Sequence, residues 1–326
     1  DNATGTIDAA NNNTGLGIDI FTALTTGDSN SALGTFSLEL LTTGTGNSAV
    51  GYKSLEAVTE GGYNTAMGWV AGYKITTGTQ NVCIGGTAGD AITTASDNVA
   101  VGYNALGSDE TGANNTAVGA LAGFATTGSE NTFLGYRAGK TTTSATTNIV
   151  VGSFALDNGA ANTGGLNTVM GHSAARLITT GTRNTILGYG AGAAVTTGAG
   201  NTLLGGTATG NSITTGSGNI AIGQNALQTL TASLYPNIAI GENALYSMAT
   251  GYQNIAIGYT AGQSATGVGV TLVGDSAGFS VTSGNGNTCF GVAAGYNITT
   301  GSNNLCLGNS SGQSNQPTTV ITTQSN

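Results

Sequence analysis

The sequence predicts an all-β chain, a parallel β-solenoid or β-roll of about eighteen 17-residue coils, and three observations carry this. One phrase returns at a nearly fixed interval along almost the whole chain, every copy holds a glycine at the same place, and β-branched residues cluster just before it. Self-similarity at such a period is the signature of a stacked array.

Taking the Asn of each N-T-A-V-G-like phrase as position 0, anchors fall at 13, 30, 47, 64, 81, 98, 115, 131, 148, 167, 184, 201, 219, 237, 254, 270, 287 and 304. Most steps are 17 residues, with excursions to 16, 18 and 19, and the longest step, through DNGAANTGGL (157–166), reads as a loop insertion. Residues 1–12 read as an N-terminal cap or junction, 13–309 as the solenoid of eighteen repeats, and 310–326 as a C-terminal cap or tail. Pro317 in that tail cannot donate to a ladder. The chain opens at Asp1 without Met, which predicts a processed or truncated product.

Position 0 is Asn in seventeen copies, with Val270 the exception, and position 4 is Gly in all eighteen. Position 1 is Thr or Ser in eleven copies and Val, Ile or Leu in seven, while position 3 is always large and apolar, from Leu16 to Leu307. This predicts a short strand that stops at a glycine corner. Asn at the preceding corner tolerates left-handed geometry and can stack its amide on its neighbours. A turn-like TTG closes many copies, eight times in that form. Helix is the weaker reading, because each copy carries glycines and no 3.6-residue period survives. Eighteen coils at the spacing of paired strands predict a rod about 85 Å long.

Side chains alternate along a strand, so positions 1 and 3 are expected to fill the coil and position 2 to face away from it. Position 2 is never polar: Ala eight times, Cys three times, Gly once, and otherwise Phe133, Val150, Val169, Ile186, Leu203 and Leu272. A strand apolar on both faces is buried on both. The second cover is either the same column on another copy of the chain, giving a symmetric homo-oligomer, or a second layer within the coil. On this reading Leu187 fills the core and Ile186 faces a partner. Cys83, Cys289 and Cys306 all sit in this column and read as small buried hydrophobes, the last two in neighbouring coils.

Stretches such as NIAIGENALYSMATGYQ (237–253) and NTAVGALAGFATTGSE (115–130) resemble the head-type repeats of trimeric surface adhesins and the related repeats of phage tail fibres. The resemblance covers about 300 residues. It implies a left-handed roll, three chains packed side by side as a homotrimer, and attachment at a bacterial cell surface or virion surface. The 17-residue unit is longer than that of the best-known adhesin heads, so the cross-section is expected to differ. The sequence carries no stalk-like heptad segment, which leaves the kind of fibre open.

Composition narrows the chemistry. Lys and Arg total six against fifteen Asp and Glu, a net charge of −9, so there is no basic patch for nucleic acid. No apolar run reaches the roughly 18 residues a membrane helix needs. His172, the only histidine, has no nucleophile and acid set around it and reads as a surface residue, so no catalytic residue is assigned. Asp109 with Glu110, one coil after Asp97, is a candidate cation site but reads better as solvated turn carboxylates. No metal or cofactor site is assigned. GYGAGA (188–193) looks like a phosphate loop, yet its glycines are repeat columns and no helix follows.

The binding candidates are the aromatics at position 5: Tyr52, Trp69, Tyr103, Tyr136, Tyr189 and Tyr259. Exposed rings along a rigid array can stack on sugars, so a host-cell or surface glycan is the expected ligand. Rings that merely cover the corner or pack between chains are the plainer reading. Tyr73, Phe124, Tyr246, Phe279 and Tyr296 at position 9 form a second set. The function expected is a non-enzymatic attachment fibre outside the cell, with an architectural filament or sheath subunit as the alternative. Ice binding through stacked Thr is the weakest, since the two Thr of TTG are adjacent and point apart.

Overall fold

The computed structural model describes residues 4–8, 12–157, 159–233 and 235–313, and these are all-β. They fall in two compact units, Asp1–Thr163 and Gly164–Asn326, and each is a parallel β-solenoid with turns of about 17 residues. The polar tail at 314–326 lies outside the described residues.

In the first unit, β1 (Thr4–Asp8) lies antiparallel on β2 (Asn13–Gly17). Parallel strands follow, from β3 (Ser31–Leu33) to β10 (Ile149–Val151). The second unit stacks nine, from β11 (Thr168–Met170) through β12 (Thr185–Leu187) to β18 (Thr288–Phe290) and β19 (Leu305–Leu307). Register follows the repeat: Ala32 pairs with Ala49, and Ile186 with Leu203. Inside the 157–166 insertion the chain rejoins the stack at Asn162, whose carbonyl accepts the Thr143 N–H at 2.8 Å.

The facing of the strand is the reverse of the expectation. Position 2 points into the coil and position 3 points out: Ile186 is 1% exposed and Leu187 47%. The same buried middle residue recurs from β3 to β19. One inward residue per strand, the middle one, fills the interior there. Ala at position 2 marks an inside, not a shared surface.

Three further columns complete the core. Position 7 is Ala in most copies, position 8 is mostly Leu or Gly, and position 11 is mostly Ile, Val or Leu, as in Leu41, Val58, Ile75 and Ile92, all fully buried. Positions 2 and 8 share one space. Where position 8 is Leu38, Leu55 or Leu106, position 2 is Ala32, Ala49 or Ala100; where position 2 is Phe133 or Leu272, position 8 is Gly139 or Gly278. A Cβ on Gly139 would stand 2.1 Å from the Phe133 ring. Close packing of this kind makes the pair a single unit of volume.

The position-4 glycine is required by the stack itself. Gly51 has φ +127°, and a Cβ there would lie 2.4 Å from the carbonyl oxygen of Gly68 in the next coil.

Position 0 forms a buried amide ladder. The Asn64 Nδ2 donates to Asn47 Oδ1 at 3.1 Å and to the Gly78 carbonyl at 2.8 Å, while the Asn64 backbone N–H also donates to Asn47 Oδ1. Every hydrogen-bonding group of the side chain is satisfied, as burial demands. Left-handed geometry falls on the residue before most of these Asn instead, with φ near +60° at Ser29, Tyr63 and Gln80. The stacking expected of this residue holds, and its left-handed backbone does not.

Candidate binding surfaces

Two outward surfaces follow from this geometry. The first is the solvent side of the strands. Position 3 presents Leu16, Leu33, Val50 and Met67 in consecutive coils, and Leu187, Phe290 and Leu307 in the second unit, all exposed. Beside it runs the position-1 column of Thr, Ser, Val and Ile. A shallow groove between them is lined by Thr14, Leu16, Ser31, Leu33, Ser48 and Val50. None of the eighteen copies has a charged residue at position 1 or 3. An exposed apolar column this regular is unusual on a soluble surface.

The second is the corner after position 4. All six position-5 aromatics are exposed, Trp69, Tyr103 and Tyr189 by about three-fifths. They do not form one continuous row. Tyr52 and Trp69 occupy consecutive coils, whereas Tyr103 is flanked in its column by Gly86 and Ala120, and Tyr136 by Ala120 and Ser153. In the second unit Tyr259 stands between Glu242 and Asp275 in the column, and Tyr189 follows His172.

Several rings are already engaged. His172 stacks on Tyr189, centroids 5.3 Å apart and planes 11° from parallel. Tyr136 meets Phe154 edge-on at 5.3 Å, and the Arg137 guanidinium lies over Phe154. Lys53 Nζ sits 5.4–5.8 Å from the rings of Phe36, Tyr52 and Tyr73 and pairs with Glu56 at 2.9 Å. Tyr52 therefore offers a face partly occupied by a cation. Trp69, Tyr103 and Tyr259 have no ring partner of this kind among the described residues.

The position-9 set separates from this one by burial. Tyr73, Phe124, Tyr246, Phe279 and Tyr296 are half-buried, and Phe279 stacks on Tyr296 at 5.0 Å and 3°. Phe36 and Phe154, at position 6, and Tyr63, just before Asn64, are further surface aromatics that the repeat columns gave no reason to single out.

The acidic pair is not a matched set. Glu110 and Asp97 are exposed, but Asp109 is fully buried in the position-11 core column, which corrects its reading as a solvated turn carboxylate. Its Oδ1 accepts the Gly112 N–H at 2.7 Å and its Oδ2 accepts from Asn115 Nδ2 at 3.2 Å. Burial pushes the Asp109 carboxyl up to about 7, despite those hydrogen bonds.

The Thr column is also divided. The first Thr of TTG donates its hydroxyl to a carbonyl of the next coil, as Thr42 does to Thr59 at 3.0 Å. The second, such as Thr43 and Thr77, is exposed. One free Thr per coil is a narrow file, not a flat Thr array.

No family model, curated protein or solved structure matches the chain. No helix among the described residues is long and apolar enough to cross a membrane.

Proposed function

We propose that the chain is a segment of a non-enzymatic, extended attachment fibre at a bacterial cell surface or virion surface, built as a left-handed homotrimer. The observation that supports this most is the uncharged apolar column at position 3.

A second copy of the chain is the occupant that suits this column. It repeats at the rise of stacked strands, about 4.8 Å, and an identical solenoid repeats at the same rise, so seating one row seats its neighbours. Around a symmetry axis like residues face like residues, and a charged column would oppose itself. The complete lack of charge at positions 1 and 3 meets that condition. The apolar cover that position 2 was expected to require is here asked of position 3.

In that assembly the position-5 aromatics stay at the outer corner. Trp69 and Tyr103, exposed and unstacked, are the residues proposed to meet a surface glycan. Light scattering of the purified chain tests the assembly. A trimer gives about three times the 31.7 kDa chain mass, and a stable monomer refutes it. Binding to a glycan array, lost on Trp69→Ala and Tyr103→Ala with the trimer intact, tests the ligand; no binding on any array leaves the aromatics as corner cover.

A further inference from the structure

We infer that Cys289 and Cys306 form a disulfide between neighbouring coils, a covalent clasp on the last two described coils of the second unit.

The two residues are direct register partners of adjacent parallel strands, on β18 and β19. Adjacent paired strands stand about 4.8 Å apart, inside the roughly 4.4–6.8 Å that a disulfide spans between Cα atoms. Both side chains point into the coil, Cys289 fully buried and Cys306 nearly so. Both are free thiols in the structure.

The local packing is shaped around the sulfurs. A Cβ on Gly295 would stand 2.3 Å from Cys289 Sγ, and one on Gly312 would stand 2.6 Å from Cys306 Sγ. Cys83 is the internal contrast. It occupies the same column with its own glycine, Gly89, but its register partners are Ala66 and Ala100. It has a sulfur and no sulfur to meet.

The amide ladder explains why these coils are worth clasping. It runs from Asn167 to Asn254, where the next rung is Val270, which supplies only its backbone N–H to Asn254 Oδ1. Asn287 and Asn304 then form an isolated pair of rungs at 2.8 Å. The two coils that carry the cysteines are thus cut off from the ladder behind them. Coils held by fewer rungs open more readily.

Closure is an exchange with a small-molecule disulfide such as oxidised glutathione. Each cysteine loses its thiol proton, one S–S bond forms between them, and the two electrons reduce the small disulfide to two thiols. Burial raises the thiols of both Cys83 and Cys289 to about 12, so the folded reduced chain reacts slowly. The bond therefore forms while the Cys306 coil is still open, during folding in an oxidising medium.

The test refolds the full chain in a glutathione redox buffer and maps its peptides without reduction. The expected product is about 2 Da lighter per chain, as loss of two hydrogens requires. It links the Cys289 and Cys306 peptides and leaves Cys83 free for alkylation after unfolding. Hydrogen exchange of the Leu305–Leu307 amides is expected to slow at least tenfold on oxidation. In Cys306→Ala, with the small residue that eight other coils carry at this position, the same oxidation should change nothing. Full alkylation of both thiols after oxidative refolding overturns the bond. A linked chain with unchanged exchange overturns the clasp.

Discussion

Phe133 and Gly139 carry the packing logic of the interior in two residues. Gly139 has φ +59°, where any Cβ costs about 1–2 kcal/mol, and its Cβ would also strike the Phe133 ring. Overpacking adds roughly 1–3 kcal/mol. Gly139→Ala should therefore destabilise the chain by about 2–4 kcal/mol in thermal or denaturant unfolding. Phe133→Ala should cost about 3–5 kcal/mol by leaving a cavity. Combining Phe133→Ala with Gly139→Leu recreates the pairing of Ala49 with Leu55, whose φ of +52° shows that Leu is tolerated there. The double variant should be more stable than Phe133→Ala alone, a coupling of the sort that neighbouring sites produce. Additive losses would mean that positions 2 and 8 are independent.

Asp109 sets a different behaviour at the same scale. Its folded pKa of about 7 lies above the roughly 3.9 of an unfolded Asp. Below about pH 4 the carboxyl is neutral in both states and the fold keeps its full stability. Between there and about 7 the unfolded chain ionises first, so stability falls by about 1.4 kcal/mol per pH unit. Above 7 this group adds no further slope. Denaturant midpoints from pH 4 to 8 should show this decline, and Asp109→Asn should flatten it. Asp109→Ile, which restores the residue found at Ile75 and Ile92, should raise stability at pH 8.

At the scale of the element, each coil is held to the next by strand pairing and by one amide rung. Val270 interrupts the rungs of the second unit. Val270→Asn offers an amide of similar bulk to the unused capacity of Asn254 Oδ1, and should stabilise by about 1 kcal/mol, the net worth of one or two hydrogen bonds. The reverse change, Asn64→Val, should cost more. It removes the acceptor of the Asn81 N–H and Nδ2 and the donor to the Gly78 carbonyl, and each buried group left unpaired costs about 1–3 kcal/mol. Calorimetry of the two variants decides whether the rungs are additive.

The strands, their spacing and the amide ladder were legible because identical residues recur at identical places. The facing of the strand was not, because alternation says that positions 2 and 3 oppose each other without saying which is inside. The missing clue was distant: Leu55 or Gly139 at position 8 bears on how much room position 2 has. Reading Ala49 beside Leu55, and Phe133 beside Gly139, would have placed position 2 in the core. Asp109 was misplaced for a related reason, since position 11 became recognisable as a core column only with its burial in view.

At the scale of the whole molecule the decisive question is what covers position 3. The facing observed in each unit gives adjacent residues opposite tests. Ile186 is inside its coil and Leu187 outside. Ile186→Glu places an unpaired charge in the core, a loss of several kcal/mol or a shift to the neutral acid, and the strand should not form. Glutamate at Met170, Leu187 and Leu204 together touches no interior contact, so each solenoid unit should keep its circular dichroism and its unfolding midpoint. Three consecutive rows are needed, because each buried side chain adds only about 1.5–3 kcal/mol and the other rows would still hold. In a homotrimer each substituted row brings three carboxylates together, and the chain should sediment as a folded monomer. Retention of the trimer by this triple variant would remove position 3 from the interface. A folded monomer leaves the strand face as the surface through which the copies meet.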